Sequence, residues 1–583
     1  MTDYYWLGTD SSNPTHWNVN ANWSLSSGGS AASDHPRTNA DKAIFDTGSN
    51  VSSMNISGGT GVVGNVTTTS GYSGTITQAY NFTIDDAGAH DGGLVIGGGT
   101  WNSNNSNLTV DGSTGGAGTL ALGNSTYTSS GGHLSMTGTV TIGTSGVITG
   151  VDQLGETSGG GMTLTCTGSP TLGCERWRQL ASKWTPATST LKIQDGNFSF
   201  QDASYGVPYN FQIDNGSNTN ELAGTFTVSN NLIITSGTLD TTSSNHALTV
   251  AGTLEVDGTA AVLTCNASAL TIGQADVDSG YGLYNTGGTV NGGTGNWTVS
   301  QMKHHSGTTT LTTGTITMNG KHPSSGAVLE KTNTGTFTHP TNGIIDITGE
   351  DGYIGIGGTN MTLHELRINS GSTHKIVASA TGNTLTCSTL TITNGGLDTA
   401  HPSYESSTLT VAETTQIGTN GTLNCNASTC QFGATTYTAG KGLDCVGSSP
   451  GATFNGGTGT HTYSSIVLAA DSNVDFTPTT GSATITAESN TNIAFYMANG
   501  CVVGGGTYNL TVATPTDTAG NLLSDTTFNT VTFTPSSGTP THQLHGDGLK
   551  CTNLTINANA TVDTTSGTNG PIVVTGDASV TGT

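Results

Sequence analysis

Residues 231–273 read NLIITSGTLDTTSSNHALTVAGTLEVDGTAAVLTCNASALTIG. Short apolar bursts recur along this stretch: Leu232 to Ile234, Leu248 to Val250, Leu254 to Val256, Leu263 to Cys265 and Leu270 to Ile272. Gly, Asn, Asp, Ser and Thr fill the intervals. Each burst is long enough for one short strand and too short for a helix. The stretch returns at residues 390–433, LTITNGGLDTAHPSYESSTLTVAETTQIGTNGTLNCNASTCQFG. There Leu390, Ile392, Leu397 and Asp398 match Leu232, Ile234, Leu239 and Asp240, and CNAS at Cys425 to Ser428 matches CNAS at Cys265 to Ser268. A shortened third copy starts at Leu554, so the copies begin at Leu232, Leu390 and Leu554, at nearly equal intervals. The chain is a tandem array of strand-rich units.

Further markers share that spacing. Asn291-Gly292-Gly293-Thr294-Gly295 returns one interval later as Asn455-Gly456-Gly457-Thr458-Gly459. LVIGGGTWNSNNSNLTV at 94–110 is echoed at 353–368 and 502–512. Phe337-Thr338-His339-Pro340, Phe476-Thr477-Pro478 and Phe533-Thr534-Pro535 place Pro where a central strand would not tolerate it, which marks turns or bulges. Gly97-Gly98-Gly99 has neither a following helix nor a Lys-Ser/Thr pair, so it reads as a turn rather than a phosphate loop.

Composition agrees with an array. Of 583 residues, 86 are Gly, 9% are charged and 32% are hydrophobic, too little for one compact core but enough for the thin core of a solenoid. The evenly spaced Val, Ile and Leu bursts separate the chain from disordered Gly- and Ser-rich sequences. Thr between the apolar positions reads as the outward strand face. Thirteen Lys and Arg against 38 Asp and Glu give −25, so the basic footprint of a nucleic-acid binder is missing. Nine Cys follow no metal or disulfide spacing and several sit inside the bursts; they read as free thiols in a core, with Cys425 and Cys430 the pair close enough in sequence to bridge. Free thiols suit folding in a reducing compartment. No run approaches the ~18 apolar residues of a membrane span. MTDYYWLGTD has no basic start followed by an apolar run, so it does not read as a signal peptide. A surface-type composition without an export signal points, by elimination, to a virion component made in the host cytoplasm and released by lysis.

Residues 1–50 hold Trp6, Trp17 and Trp23, with Tyr4, Tyr5 and Phe45. Bulky aromatics are expected to cover the open end of a first coil, or to serve as an attachment segment. The opening also carries a resemblance. Trp6-Leu7-Gly8, Asn22-Trp23-Ser24, Pro36, Asp41 and Ile44-Phe45-Asp46 resemble the start of Gly-rich repetitive proteins of tailed phages and bacterial surfaces. The later NLTV and GTL repeats are similar to that group and to parallel β-helices of autotransporter-like adhesins. The resemblance implies a β-helical virion or surface fibre and carries over no catalytic residue.

The burst pattern and the resemblance together set the expected architecture. The fold is an all-β, elongated, right-handed parallel β-helix with roughly 25–30 coils of ~15–20 residues. The segments are a Trp-rich cap over 1–50, a first stack over 51–173, an insertion over 174–192, and a repetitive stack over 193–583 with blocks of about 160 residues. In the insertion, Trp177, Leu180, Ala181 and Trp184 have the spacing of one helix face, and Pro186 ends it. Attachment residues are Trp6, Trp17, Trp23, Arg176, Trp177, Arg178 and Trp184, the basic ones facing an acidic neighbour. Carboxylate pairs suited to glycan cleavage are Asp85-Asp86, Asp276 with Asp278, and Glu350-Asp351, and all read more simply as turn residues. His304-His305, and His542 with His545, supply too few ligands for a metal. No catalytic residue, cofactor or metal site is assigned. The function expected is a structural virion protein of a tailed phage, a tail fibre, spike or capsid-surface decoration; the alternatives are a polysaccharide depolymerase spike and a bacterial cell-surface adhesin. Partners are other copies of the chain, as a trimer or other homo-oligomer, other virion proteins and a host surface glycan. The last coil, Leu554 to Val580, is expected to be covered by a partner or to touch the host.

Overall fold

The computed structural model describes residues 2–581 except 50–52, 57–60, 86–92, 105, 112, 130–131, 156–161, 195–198, 201–205, 274–280, 333–334, 359, 379–382, 401–406, 434–441, 447–450, 469–473, 487–494, 498–501, 504–507, 513–517, 520–526, 535–540, 545–547 and 565–570. Its strands pair in parallel, one coil onto the next, in a β-solenoid of about 18 turns. The antiparallel exceptions among described residues are Trp23–Ser24 against the first strand, Thr2–Trp6, and one bridge from Ser24 to Ala31. By contact density the chain divides into Met1–Asn266 and Ala267–Thr583.

In Met1–Asn266 three ladders of inward side chains build the core. The first runs Phe82, Leu108, Tyr127, Ile148, Leu172, Leu191, Phe211, Leu232 and Leu254, each beside the next in register. The second runs Ile76, Trp101, Leu120, Val140, Leu164 and Trp184. The third runs Tyr4, Ala43, Val66, Leu94, Thr114, Leu134, Leu154 and Trp177. All these side chains are buried. Strand residues alternate between faces, so the Thr between them points outward: Thr83, Thr109, Thr128 and Thr149 form one such outer row. The single Thr among these inner rungs, Thr114, satisfies its hydroxyl with that of Tyr127 at 2.7 Å.

Two expectations are corrected here. Coils are longer and fewer than the roughly 25–30 expected. Leu232 stacks directly on Leu254, and Ile316 on Ile345, so one coil takes up all the chain between those partners. The shorter intervals between bursts join different faces of one coil, not successive rungs of one face. The helix over 174–192 is also absent. Thr171–Arg178 and Thr190–Ile193 are strands continuous with the neighbouring coils, and only Ala181–Lys183 makes a single 3-10 turn. Trp177 and Trp184 are rungs of two different ladders whose rings meet edge-on in the core, 4.5 Å between centroids. Two strand ends and a corner reproduce the spacing of a helix face by coincidence.

Ala267–Thr583 is built likewise. One inward ladder runs Leu270, Trp297, Ile316, Ile345, Leu366, Leu390, Thr415, Leu443 and Ile466. Another runs Met361, Leu385, Leu409, Cys430, His461, Ala483, Leu510, Val531 and Leu554. The final strand, Ala578–Val580, pairs with Leu554–Ile556 and leaves Val580 exposed. Strands end at Thr338 and Thr477, just before Pro340 and Pro478, as the Pro markers require; Pro535 lies outside the described residues.

Buried amides lock individual rungs. Trp101 Nε1 donates to Gln78 Oε1 at 2.7 Å, and Gln78 Nε2 donates to the carbonyls of Asn107 and Tyr80. Trp101→Phe keeps an aromatic rung but strands the Gln78 oxygen, so it should cost about 1–3 kcal/mol. A lowered urea midpoint with unchanged slope is the expected result, and adding Gln78→Leu should recover part of the loss. Equal midpoints for wild type and Trp101→Phe would show that the bond contributes nothing.

Candidate functional site

The residues singled out for attachment fall into two sets. Trp6, Trp17, Trp23, Trp177 and Trp184 are all buried. Trp23 stands edge-on to Trp6 at 4.9 Å and to Trp17 at 4.8 Å, and Phe45 completes the group. Trp17 Nε1 donates to the Pro36 carbonyl and Trp23 Nε1 to the Trp17 carbonyl. Trp6, Trp17, Trp23 and Phe45 pack together inside the first coil, and Trp177 and Trp184 meet inside a later one. Arg176 is on the surface but faces Asp152, 3.4 Å away, and Asp152 also pairs with His133. Lys192 pairs with Asp214 at 2.7 Å. Arg176 and Lys192 are thus matched to carboxylates of their own chain, and Arg178 is half-buried on the same strand as Arg176.

The candidate chemistry from sequence does not converge. Glu350 and Asp351 are exposed and both lie against Lys321, which makes them a surface ion group. Asp85 ends a strand, while Asp86, Asp276 and Asp278 lie outside the described residues. His304 points inward, with Nδ1 3.0 Å from Thr309 Oγ1, and His305 points outward to Thr332 Oγ1, so these neighbours share no ligand position. His545 is outside the described residues. Gly97 to Gly99 form a turn pressed against the coil beneath, next to the carbonyls of Thr68 and Tyr72.

One group does converge, and sequence reasoning missed it. Cys425, Cys430 and His461 are buried, and their sulfurs and a ring nitrogen all lie within 4.8 Å of one another. Cys430 and His461 are adjacent rungs on neighbouring strands, and Cys425 stands at the corner just after the strand Gly421–Asn424. The corner is fixed by polar bonds: Thr399 Oγ1 donates to the Cys425 carbonyl at 2.6 Å, and Asn426, in the left-handed region at φ 52°, donates to Asp398. The earlier repeat builds its corner alike from Thr241, Asn266 and Asp240. His461 Nδ1 shares a 2.8 Å hydrogen bond with the Tyr463 hydroxyl, and Nε2 has no hydrogen-bond partner. Hydrogen bonding from Cys425 holds the Cys430 thiol below its ordinary value, while burial pushes Cys425 up. The eight described Cys are all buried free thiols, as expected, and Cys425 and Cys430 are not bridged; Cys501 lies outside the described residues.

The missed signal was a difference between repeats. Aligning CNASALTIG with CNASTCQFG and NGGTGNWTVS with NGGTGTHTYS sets Leu270 against Cys430, Trp297 against His461 and Val299 against Tyr463. Spacing of Cys alone could not reveal this, because the third donor lies a full coil beyond Cys430 and meets it only when the coils stack. Comparison with known proteins gives no match to a protein family, a curated protein or a solved structure.

Proposed function

We propose that the chain is a structural protein of a tailed-phage virion, a fibre, spike or capsid-surface decoration whose β-solenoid presents a regular polar flank for contact. The supporting observation is the run of unbroken inward ladders, nine rungs deep from Phe82 to Leu254, backed outside by Thr rows. Among the described residues most large apolar side chains are buried, and the chain is sparsely charged and acidic. The opening Trp-Leu-Gly and Asn-Trp-Ser run adds its resemblance to phage and surface repeat proteins. Parallel-strand flanks of this kind favour packing against further copies or other virion proteins, with a host surface glycan as the outer contact. Mass spectrometry of density-purified virions, set against host membrane fractions, tests the reading. Recovery of the chain in virions at structural copy number is the expected result. Recovery in the membrane fraction alone would favour an adhesin, and release of reducing ends from host capsule by the purified chain would favour a depolymerase.

A further inference from the structure

We propose that Cys425 Sγ, Cys430 Sγ and His461 Nε2 form a buried site for one thiophilic divalent cation of the Zn²⁺ class. Two sulfurs and one imidazole are the donors such ions prefer, and three protein donors with a small exogenous fourth ligand complete a tetrahedron. Bonds of about 2.3 Å to sulfur place tetrahedral ligands ~3.8 Å apart. The present separations, all within 4.8 Å, need only a small contraction of one strand pair and one corner.

Three independent features point to a ligand. The first is the unpartnered His461 Nε2, in a side chain with no exposed surface. A buried imidazole nitrogen without a partner is costly, and a cation supplies the missing interaction. The second is Tyr463, which bonds the other ring nitrogen. When a cation takes the Nε2 lone pair, Nδ1–H donates to the Tyr463 hydroxyl, the outer-shell arrangement usual for ligating histidines. The third is the comparison of repeats. The earlier copy fills the aligned positions with Leu270, Trp297 and Val299, a stable apolar solution, with Trp297 and Val299 buried and in register in the same way. The later copy exchanges all three for two ligands and the residue that orients one of them. A merely structural drift would not need those changes to meet at one point.

Charge balance favours the ion over the empty site. Binding M²⁺ displaces the protons of both thiols, and two thiolates with one M²⁺ are neutral, so no net charge is left in the core. No redox step is involved.

The test uses the full chain expressed in medium supplemented with Zn²⁺ or with Co²⁺, since a buried site fills during folding. We expect about one ion per chain, and for Co²⁺ a thiolate charge-transfer band with the visible bands of a tetrahedral centre. Cys430→Leu with His461→Trp and Tyr463→Val adopts the residues found at 270, 297 and 299; it should keep the wild-type far-UV spectrum and lose the ion by about tenfold or more. Cys430→Ser, a smaller change, should lose it as well should the triple variant fail to fold, and Cys387→Ala should retain it. Folded wild type that holds neither ion at stoichiometric level overturns the proposal. So does equal metal content in wild type and Cys430→Ser. A Cys425–Cys430 disulfide trapped in cells quenched with acid and alkylating reagent overturns it too.

Discussion

Lowering the pH from 7 to 4.5 is expected to destabilise Ala267–Thr583 steeply. His304, His374 and His542 all belong to it and are 0%, 0% and 5% exposed. Burial pushes each from an ordinary value of 6.5 down to about 4. At His304 the Gly335 backbone opposes burial, while Lys331 and His305 reinforce it; at His374 Asp351 opposes and Lys321 reinforces. The folded value is the lower one, so above pH 6.5 both states are neutral and nothing is lost. Between 6.5 and about 4 the unfolded chain takes up protons that the folded chain refuses, and each proton favours unfolding. Below about 4 the loss is complete. The gap corresponds to on the order of 3 kcal/mol for each histidine. Amide exchange in urea at pH 7, 5.5 and 4.5 should show midpoints falling through that window in the strands that carry these residues. His374→Gln should flatten the fall; midpoints independent of pH would contradict the assignment.

Fold class was legible because period and punctuation agreed. Leu-Thr-Val and Leu-Thr-Ile bursts bounded by Gly and Asn allow strands only, and their inner and outer positions alternate in the structure as in the sequence. Coil length was not legible. A coil carries more than one burst, so Leu254 and Leu270 look like successive rows although they belong to different faces: Leu254 stacks on Leu232, and Leu270 is followed by Trp297. The 174–192 helix failed for a related reason. Trp177 and Trp184 are both core residues, but a corner around Ala181–Lys183 carries the chain from one sheet to another between them. Periodicity reports burial and cannot report that change of sheet. The Cys-His group was hidden differently: its members are distant in sequence and become neighbours only through strand register. A pairwise reading of the two repeats, rather than a search for ligand spacing, contained the information.

Register also predicts where the chain tolerates no added atom. Gly459 lies over Ser428 of the coil below, and a Cβ at Gly459 would fall closer than 3.0 Å to the Ser428 carbonyl. Gly295 stands in the same relation to Ser268, so the repeated Asn-Gly-Gly-Thr-Gly segment crosses above the repeated Cys-Asn-Ala-Ser corner. Neither side can yield easily. Ser428 is held by its N–H to the Cys425 carbonyl at 2.9 Å, and Thr479 Oγ1 holds the Gly459 carbonyl from above at 2.6 Å. The equivalent bond, Thr312 Oγ1 to the Gly295 carbonyl, is also 2.6 Å. Gly459→Ala should therefore separate two coils locally, at a cost of about 3 kcal/mol, the upper range for overpacking a tight contact. Gly295→Ala should behave alike. Gly224→Ala is the control: nothing lies within 4 Å of its added methyl, and a change within about 0.5 kcal/mol is expected there. Thermal and urea unfolding of the three variants measure the difference. Gly459→Ala as stable as Gly224→Ala would mean that the two repeated motifs do not stack, and the register of that whole ladder would have to be redrawn.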